Sequence, residues 1–557
     1  MSTFKKAVCH VGDLQDGEKR EIAINDGSIL LLRLAGQYHA LSSHCTHYGA
    51  PLVKGVLSTQ GKLTCPWHGA CFDVGTGDIE DAPALDALQS FPVTVENDQV
   101  YVEVSEEALR AGRRCGYQKS HTKKVSDAGQ RDHTVVIVGG GAGGWTTVEA
   151  LRQKGFSGTI KVVSQEPYLP IDRPKLTKVF SPQPNNIALR TSAQVTDLAV
   201  DIQLNTTATE LDVEQQLVRL GTGSELRYDT LVLATGGIPR MLPVKGSDLG
   251  NVFTIRTAQD TSRIATALQS YGQGDQLDAV KLVIIGTSFI GLEYASVARQ
   301  QGVQVTVVGK DSVPFAAVFG EKIGKTLQSL HESQGVNFMM ETEPTQFVPR
   351  SQSSDVVGAV ELADGRSLPA DVVLVAVGVR PNTDWLKNSA IPLTPQGAVT
   401  VNRYLQVDTT ETTPQHLDNV YAVGDIALFP SVAEGPSPKI RVEHWTVAQN
   451  LGRCAAANIV QHRQPKSYRH VPYFWTAQYG KSFRYCGHAA HYDDIVMVGD
   501  LAQGKWAAFY LHGDQVLAVA SFNYDPIVSK CAQLMYLNQM PSASAVRDGN
   551  IVESLIS

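Results

Sequence analysis

Apolar residues in the first hundred positions come in short β-rich runs: Ile22 to Ile24, Ser28 to Leu34, Leu63-Thr64, Val93 to Val95 and Val100 to Val104. Gly, Asp and Asn turns separate them, as in a small antiparallel β domain. The pattern then breaks. Glu106 to Arg114 reads as a short helix, and Gly116 to Asp132 is polar, basic and poor in large apolar side chains, as a linker is. An unbroken β-branched run, Thr134 to Val138, follows; it stops in glycines and passes into a helix-like stretch, Trp145 to Lys154, and then a second strand from Ile160 to Ser164. The same strand-glycine-helix plan returns at Lys281 to Glu293. Further buried runs at Tyr228 to Leu233, Asp371 to Val377 and Asn419 to Ala422 supply the remaining strands. Two such units, the second interrupting the first, predict nested α/β folds.

Each glycine turn has a physical reading. Gly139 permits the tight turn, Gly141, just before Ala142, lets the backbone approach a pyrophosphate, and Gly144 lets the helix pack on the strand. Glu166, at the end of the next strand, is the candidate for ribose hydroxyls. In the second unit Gly286 and Gly291 keep their places, while Ser288 replaces the middle glycine and weakens the approach without abolishing it. Its next strand, Gln304 to Val308, ends in Gly309-Lys310 rather than in the carboxylate that selects NADH, so NADPH stays open beside NADH.

A chain of 557 residues holds several domains. With 48 basic and 55 acidic residues its net charge is −7, which disfavours nucleic acid as a partner. No run reaches the ~18 apolar residues of a membrane helix, and Met1 to His10 lacks an apolar signal-peptide core. A cytoplasmic protein is expected, with peripheral association with mitochondria as the alternative. The eight cysteines are scattered, and none forms a CxxC pair after the Gly139 loop, which argues against a flavoprotein disulfide reductase.

Two cysteines do fall into a metal pattern. Cys45-Thr46-His47 and Cys65-Pro66-Trp67-His68 each sit in a glycine- and proline-bearing loop. Two thiolates and two imidazoles could hold a tetrahedral zinc. The order Cys-His then Cys-His is what a Rieske [2Fe-2S] centre requires, Cys45 and Cys65 taking one iron and His47 and His68 the other. The loops resemble those of Rieske-type ferredoxins. High-potential Rieske proteins carry an extra cysteine in each loop and hydroxyl donors to the cluster; here those places hold Ala50 and Trp67, and Ala70 and Phe72. A potential near the low end of the Rieske range, on the order of −150 mV, is expected. Cys71 is expected to be a small buried filler. The fifteen histidines show no two-histidine, one-carboxylate pattern for a mononuclear iron, so the cluster is expected to relay electrons and not to activate oxygen.

Asp172-Arg173-Pro174-Lys175-Leu176-Thr177-Lys178 resembles the loop of the flavoprotein reductases that serve ferredoxins and rubredoxins. The resemblance implies that Arg173 contacts FAD and that Lys178 lies beside the flavin ring. Ala234-Thr235-Gly236 is similar to the family's segment beside the flavin, and Val420 to Asp425 to its second FAD signature, with Gly424 close to the cofactor and Asp425 accepting from a ribityl hydroxyl. Glu293 is implied near the nicotinamide, within reach of Lys178, and Gly378 lies where the chain returns to the FAD domain. His444 and Trp475 are implied over the isoalloxazine face, with Trp445 on a route to the iron-sulfur centre. Together with the Rieske loops, the segment Ala518 to Lys530, read as a strand closing on a turn, resembles the apoptosis-inducing factor-like branch of these reductases. The resemblance spans essentially the whole chain.

The expected architecture is multidomain: an all-β Rieske domain (1–105), a linker (106–132), an FAD-binding Rossmann-like domain (133–250 and 385–465), an inserted NAD(P)H-binding domain (251–384) and a C-terminal α+β domain (466–557). The expected activity is an NAD(P)H-dependent FAD oxidoreductase feeding its own Rieske cluster and then an unnamed acceptor, a protein being one candidate, as a monomer or homodimer. Two other readings are a redox-sensing or apoptosis-related effector and an electron supplier to an oxygenase.

Overall fold

The computed structural model describes residues 3–115, 117, 132–272, 276–408, 417–431 and 439–549. Most of the expected linker, 118–131, lies outside the described residues.

The amino-terminal region is all β. Strands Lys19–Ile24, Gly27–Leu34, Gln37–Ser42 and Ser90–Phe91 form one sheet, Val56–Leu57, Lys62–Thr64, Cys71–Asp73 and Ile79–Asp81 a second, and Thr3–His10 pairs with Gln99–Ser105 and Val93–Glu96 in a third. The strand Gly27–Leu34 explains its own apolar run. Successive side chains point to opposite faces, so Leu30 and Leu32 enter a core with Leu63 and Phe72, whereas Ile29 and Leu31 enter another with Val100 and Val102. Helix Glu106–Ala111 follows; Ser105 caps it by accepting from the Ala108 amide, and Gly112 at φ 59° ends it.

Both α/β units are present and nested. The first parallel sheet runs in the spatial order Asp201–Gln203, Thr159–Val163, Thr134–Val138, Thr230–Leu233, Val420–Ala422. The chain leaves it after Leu233 and returns at Val420, having built a second parallel sheet in between, in the order Val252–Phe253, Val372–Val375, Lys281–Ile285, Gln304–Val308, Val336–Met339. Helices cover the sheets, and the strands are accordingly buried along nearly their whole length. The helix after the first glycine turn spans Ala142–Gln153, a turn earlier than Trp145. Its opening Ala-Gly-Gly has no apolar periodicity to mark it.

The C-terminal unit is α+β. Five antiparallel strands, in the order Tyr473–Gln478, Lys481–Gly487, Gln515–Phe522, Lys505–His512, Asp494–Asp500, are backed by helices Ile527–Tyr536 and Ala543–Arg547. The run Ala518 to Lys530 is therefore two elements. The strand stops at Phe522, Asn523 takes a left-handed φ of 49°, and a helix begins at Ile527.

Candidate functional site

A cavity of about 800 Å³ opens at the carboxyl ends of the first parallel sheet, a volume suited to a large cofactor. Gly139, Gly141 and Ala142 line one side, Glu166, Arg173 and Lys178 another, and Ala234, Thr235 and Gly236 a third. Gly424, Asp425, His444, Trp445 and Trp475 complete it. The glycines differ in what demands them. A Cβ on Gly139 would stand 2.1 Å from the Ala234 carbonyl oxygen, and one on Gly144 2.0 Å from that of Gly139. Gly141 has nothing within 4 Å of such a Cβ. The outer glycines are fixed by packing; the middle one leaves open the space a pyrophosphate needs.

The polar lining fits FAD. Glu166 receives the Arg173 guanidinium in a fork, both N···O distances 2.9 Å. A carboxylate has lone pairs for further donors, so the pair offers both signs of partner at the cavity wall. Asp425 stands 3.3 Å from Arg256 Nη2, and Thr235 donates to the Asn382 carbonyl at 2.6 Å. His444 is pushed down to about 3 by burial and is therefore neutral; its ring packs on Phe474 with centroids 4.4 Å apart.

The second unit repeats the glycine logic. Gly286 takes φ 115°, and a Cβ there would lie 2.3 Å from the Ala376 carbonyl; one on Gly291 would lie 2.6 Å from that of Gly286. Ser288 is exposed and caps helix Phe289–Gln300 without a side-chain bond. Gly378 takes φ 91° with open space beside it. These four lie outside the first cavity, but Phe289, Ile290 and Glu293 of that same helix line it. One helix thus starts at the second nucleotide turn and ends its first turns against the first cofactor cavity.

Glu293 is the most heavily bonded carboxylate in this wall. It is buried and accepts from Lys178 Nζ at 2.8 Å, from Thr476 Oγ1 at 2.7 Å and from the Thr177 hydroxyl. Behind it runs a chain that the sequence did not announce. Gln478 Nε2 donates to Thr476 Oγ1 at 3.2 Å, His331 Nε2 lies 2.8 Å from Gln478 Oε1, and Tyr479 OH lies 3.1 Å from His331 Nδ1. With Nε2 protonated, every donor in this chain points toward Glu293. Burial pushes His331 down to about 4, with the Gln478 bond opposing it.

The two cluster loops share one backbone design. The Cys45 amide donates to the Ala50 carbonyl and the Cys65 amide to that of Ala70, both at 2.8 Å, and Gly49 and Gly69 take φ of 77° and 74°. The cysteines are hydrogen-bonded to each other, which raises the buried Cys45 thiol, and the histidine Nδ1 atoms face each other at 3.0 Å. Burial pushes His47 down to about 3 and His68 well below its usual range, leaving neutral imidazoles suited to metal. Among the described residues no three His, Cys, Asp or Glu side chains converge on a single ion. The four ligand candidates form a sulfur pair and a nitrogen pair, the pairing expected of a Rieske centre with one thiolate-held and one imidazole-held iron. Cys71 is buried and takes a contact from Thr64 Oγ1 at 3.6 Å.

The loops abut the flavin cavity. Trp475, which lines it, has its ring centroid 4.3 Å from that of His68 and 5.4 Å from that of His47. Trp445, expected on the route to the cluster, lines the cavity but has no ring contact with either histidine. Tyr48 stacks on His47 at 3.8 Å and donates to Asp172 at 2.8 Å, beside Arg173.

The sequence pattern of the pyridine nucleotide-disulphide oxidoreductases matches residues 133–452, that of the Rieske [2Fe-2S] domain residues 4–92, and that of the reductase C-terminal domain residues 473–552. The chain belongs to the pyridine nucleotide-disulphide oxidoreductase family. It is 40% identical over 531 residues to apoptosis-inducing factor 3 of Homo sapiens, covering 95% of this chain and 83% of that protein. Rhodocoxin reductase of Rhodococcus erythropolis is 30% identical over 411 residues, 73% of this chain and 90% of that one. A solved covalent putidaredoxin reductase-putidaredoxin complex superposes with a TM-score of 0.68 at 28% identity, covering 76% of this chain and 98% of that chain. This apoptosis-inducing factor-like protein is therefore a ferredoxin reductase-type oxidoreductase that uses FAD and NAD(P)H and carries a Rieske [2Fe-2S] domain. The disulphide in the family's name has no counterpart here: residues 133–452 contain no cysteine. Among the described residues no helix is long and apolar enough to cross a membrane.

Proposed function

We propose that this reductase feeds its own Rieske cluster and, through it, an external one-electron acceptor. FAD supplies the exchange between a two-electron hydride donor and a one-electron iron-sulfur centre, and the chain's residues supply everything that brings the two together. One observation carries the reading: the Trp475 ring is at once a wall of the cofactor cavity and a neighbour of both histidines assigned to the cluster.

This geometry supports the following assignment of roles. Gly139, Gly141, Ala142 and Gly144 shape the pyrophosphate turn, Glu166, Arg173, Ala234, Thr235, Gly236, Gly424 and Asp425 hold FAD, and Cys45, His47, Cys65 and His68 hold the cluster. Gly286, Ser288, Gly291 and Gly378 receive the nicotinamide dinucleotide; exposed Lys310, two residues beyond the strand Gln304–Val308, is the cation that could attract a 2′-phosphate. Lys178 presents a cation to the cavity, which favours added negative charge there. Glu293, fixed by Thr177, Thr476 and Lys178, keeps that cation in place. His444, Trp445, Phe474 and Trp475 exclude water from the cavity's inner end.

Trp475→Leu tests the bridge. In anaerobic stopped-flow mixing with NADH, the substitution slows the growth of the Rieske paramagnetic signal by about tenfold, the kinetic equivalent of ~1.4 kcal/mol on the barrier. Flavin bleaching slows less. Equal slowing of both signals would show that Trp475 serves the flavin alone.

A further inference from the structure

The second cluster loop is held from outside its own domain. The Trp67 carbonyl, between Cys65 and His68, accepts from Arg484 Nε at 2.7 Å. The Cys65 carbonyl accepts from Ser529 Oγ at 3.0 Å. The Tyr473 ring closes over Gly69, where a Cβ would stand 2.9 Å from it. Arg484 and Tyr473 lie on the C-terminal sheet and Ser529 on its helix.

Inside the loop, Ala70 and Phe72 are fully buried and carry no hydroxyl. Hydrogen bonds and fixed charge around a cluster set its potential; the loops' own backbone amides at His47, Tyr48, Trp67 and His68 reach the two cysteines, and further charge comes from neighbours. Arg484 is 5% exposed, and little water screens it. Its counter-ion, Asp525, lies 3.0 Å from Nη1, with 28% of its side chain exposed against 6% for Arg484. Water therefore screens the carboxylate more than the guanidinium. The pair presents its positive end to the loop.

We propose that Arg484 is a positioning residue of the Rieske cluster: a buried guanidinium, supplied by the C-terminal domain, that raises the cluster's reduction potential in place of the hydroxyl donors its own loops lack. A cation stabilises the reduced, more negative cluster over the oxidised one. Because the cation belongs to the reductase half, the potential is set by the contact between the two halves of the chain. The inference rests on the assignment of the cluster to Cys45, His47, Cys65 and His68.

The test is redox potentiometry of the Rieske paramagnetic signal in full-length, cluster-loaded protein. Wild type is compared with Arg484→Gln, Arg484→Lys and Asp525→Asn, with iron content and flavin midpoint measured on the same samples. Arg484→Gln is expected to bias the cluster tenfold toward its oxidised form, a fall of ~59 mV for one electron, at full iron content and with the flavin midpoint unmoved. Arg484→Lys keeps the charge and recovers most of the fall; Asp525→Asn removes the screening carboxylate and moves the potential upward. A wild-type potential in Arg484→Gln, or a fall in Arg484→Lys as large as in Arg484→Gln, overturns the proposal. If Arg484→Gln loses its cluster, Asp525→Asn decides, and an unmoved or lowered potential there overturns it. Absence of any Rieske signal in wild type would instead remove the cluster assignment.

Discussion

At the scale of single residues, the three glycines of the first turn separate folding from binding. Alanine at Gly139 would drive a Cβ into the Ala234 carbonyl at 2.1 Å, and its φ of 120° is one that side chains rarely adopt. Alanine at Gly141 meets nothing within 4 Å. Gly139→Ala should therefore lower the melting temperature of the cofactor-free protein by a shift corresponding to roughly 1–3 kcal/mol. Gly141→Ala should leave that temperature near wild type and weaken FAD retention. Flavin content and apo-protein melting, measured together, check both, and a destabilised Gly141→Ala apoprotein would contradict the division. Such residues are legible in sequence because the demand is made by backbone a few positions away. Thr476, Gln478 and His331 were not. They come from a C-terminal strand and from a helix of the second nucleotide unit, and no spacing along the chain joins them to Glu293. Trp475 is legible as a flavin-face residue, but its contact with His47 and His68 exists only because the two halves of the chain pack together.

At the scale of elements, helix Glu321–Glu332 is tied to strand Tyr473–Gln478 by the His331-Gln478 bond, and through Thr476 to Glu293. His331 is fully buried and its pKa falls from 6.5 to about 4 on folding. Between those values the unfolded chain binds the proton and the folded one does not. Stability is thus full above about pH 6.5 and is lost as pH falls toward 4, by about 3 kcal/mol. His331→Gln should flatten that part of the stability-pH curve in denaturant unfolding, whatever it does to stability at pH 7. An unchanged slope between pH 4 and 6.5 would show that other groups carry the dependence. The elements themselves were largely readable, since strands buried on both faces give unbroken β-branched runs. Composition hides the geometry at Ala142 to Gly144, where a helix opens on glycines, and at Ile527, where an apolar stretch changes from strand to helix after Asn523.

At the scale of the whole molecule, the question is what keeps the Rieske region on the reductase. Arg190 is a buried tie between them. Its guanidinium joins Glu149 of the first nucleotide helix at 2.7 and 3.0 Å to Asp86 at 2.7 Å and the Leu85 carbonyl at 2.8 Å. Trp145 Nε1 donates to the same Glu149 at 2.8 Å. Arg190→Met would leave buried Glu149 without its cation and Asp86 with only exposed Arg113 at 3.5 Å, a loss of about 3 kcal/mol. Faster limited proteolysis of residues 1–105 at unchanged flavin content is the expected readout; wild-type protease resistance would show that the contact is held by the remaining bonds, Tyr48 to Asp172 and Arg484 to Trp67 among them. None of these ties was visible in the sequence, where the Rieske loops and the flavin loop each stood as separate motifs. In the function proposed above, cofactor cavity and cluster loops work as one path because Trp475 joins them. An anaerobic titration of cluster-loaded protein with NADH and then NADPH, following flavin absorbance and the Rieske paramagnetic signal together, tests it most directly. The flavin is expected to bleach and the Rieske signal to grow with it; a bleached flavin beside a cluster that stays oxidised would rule out the Trp475 path.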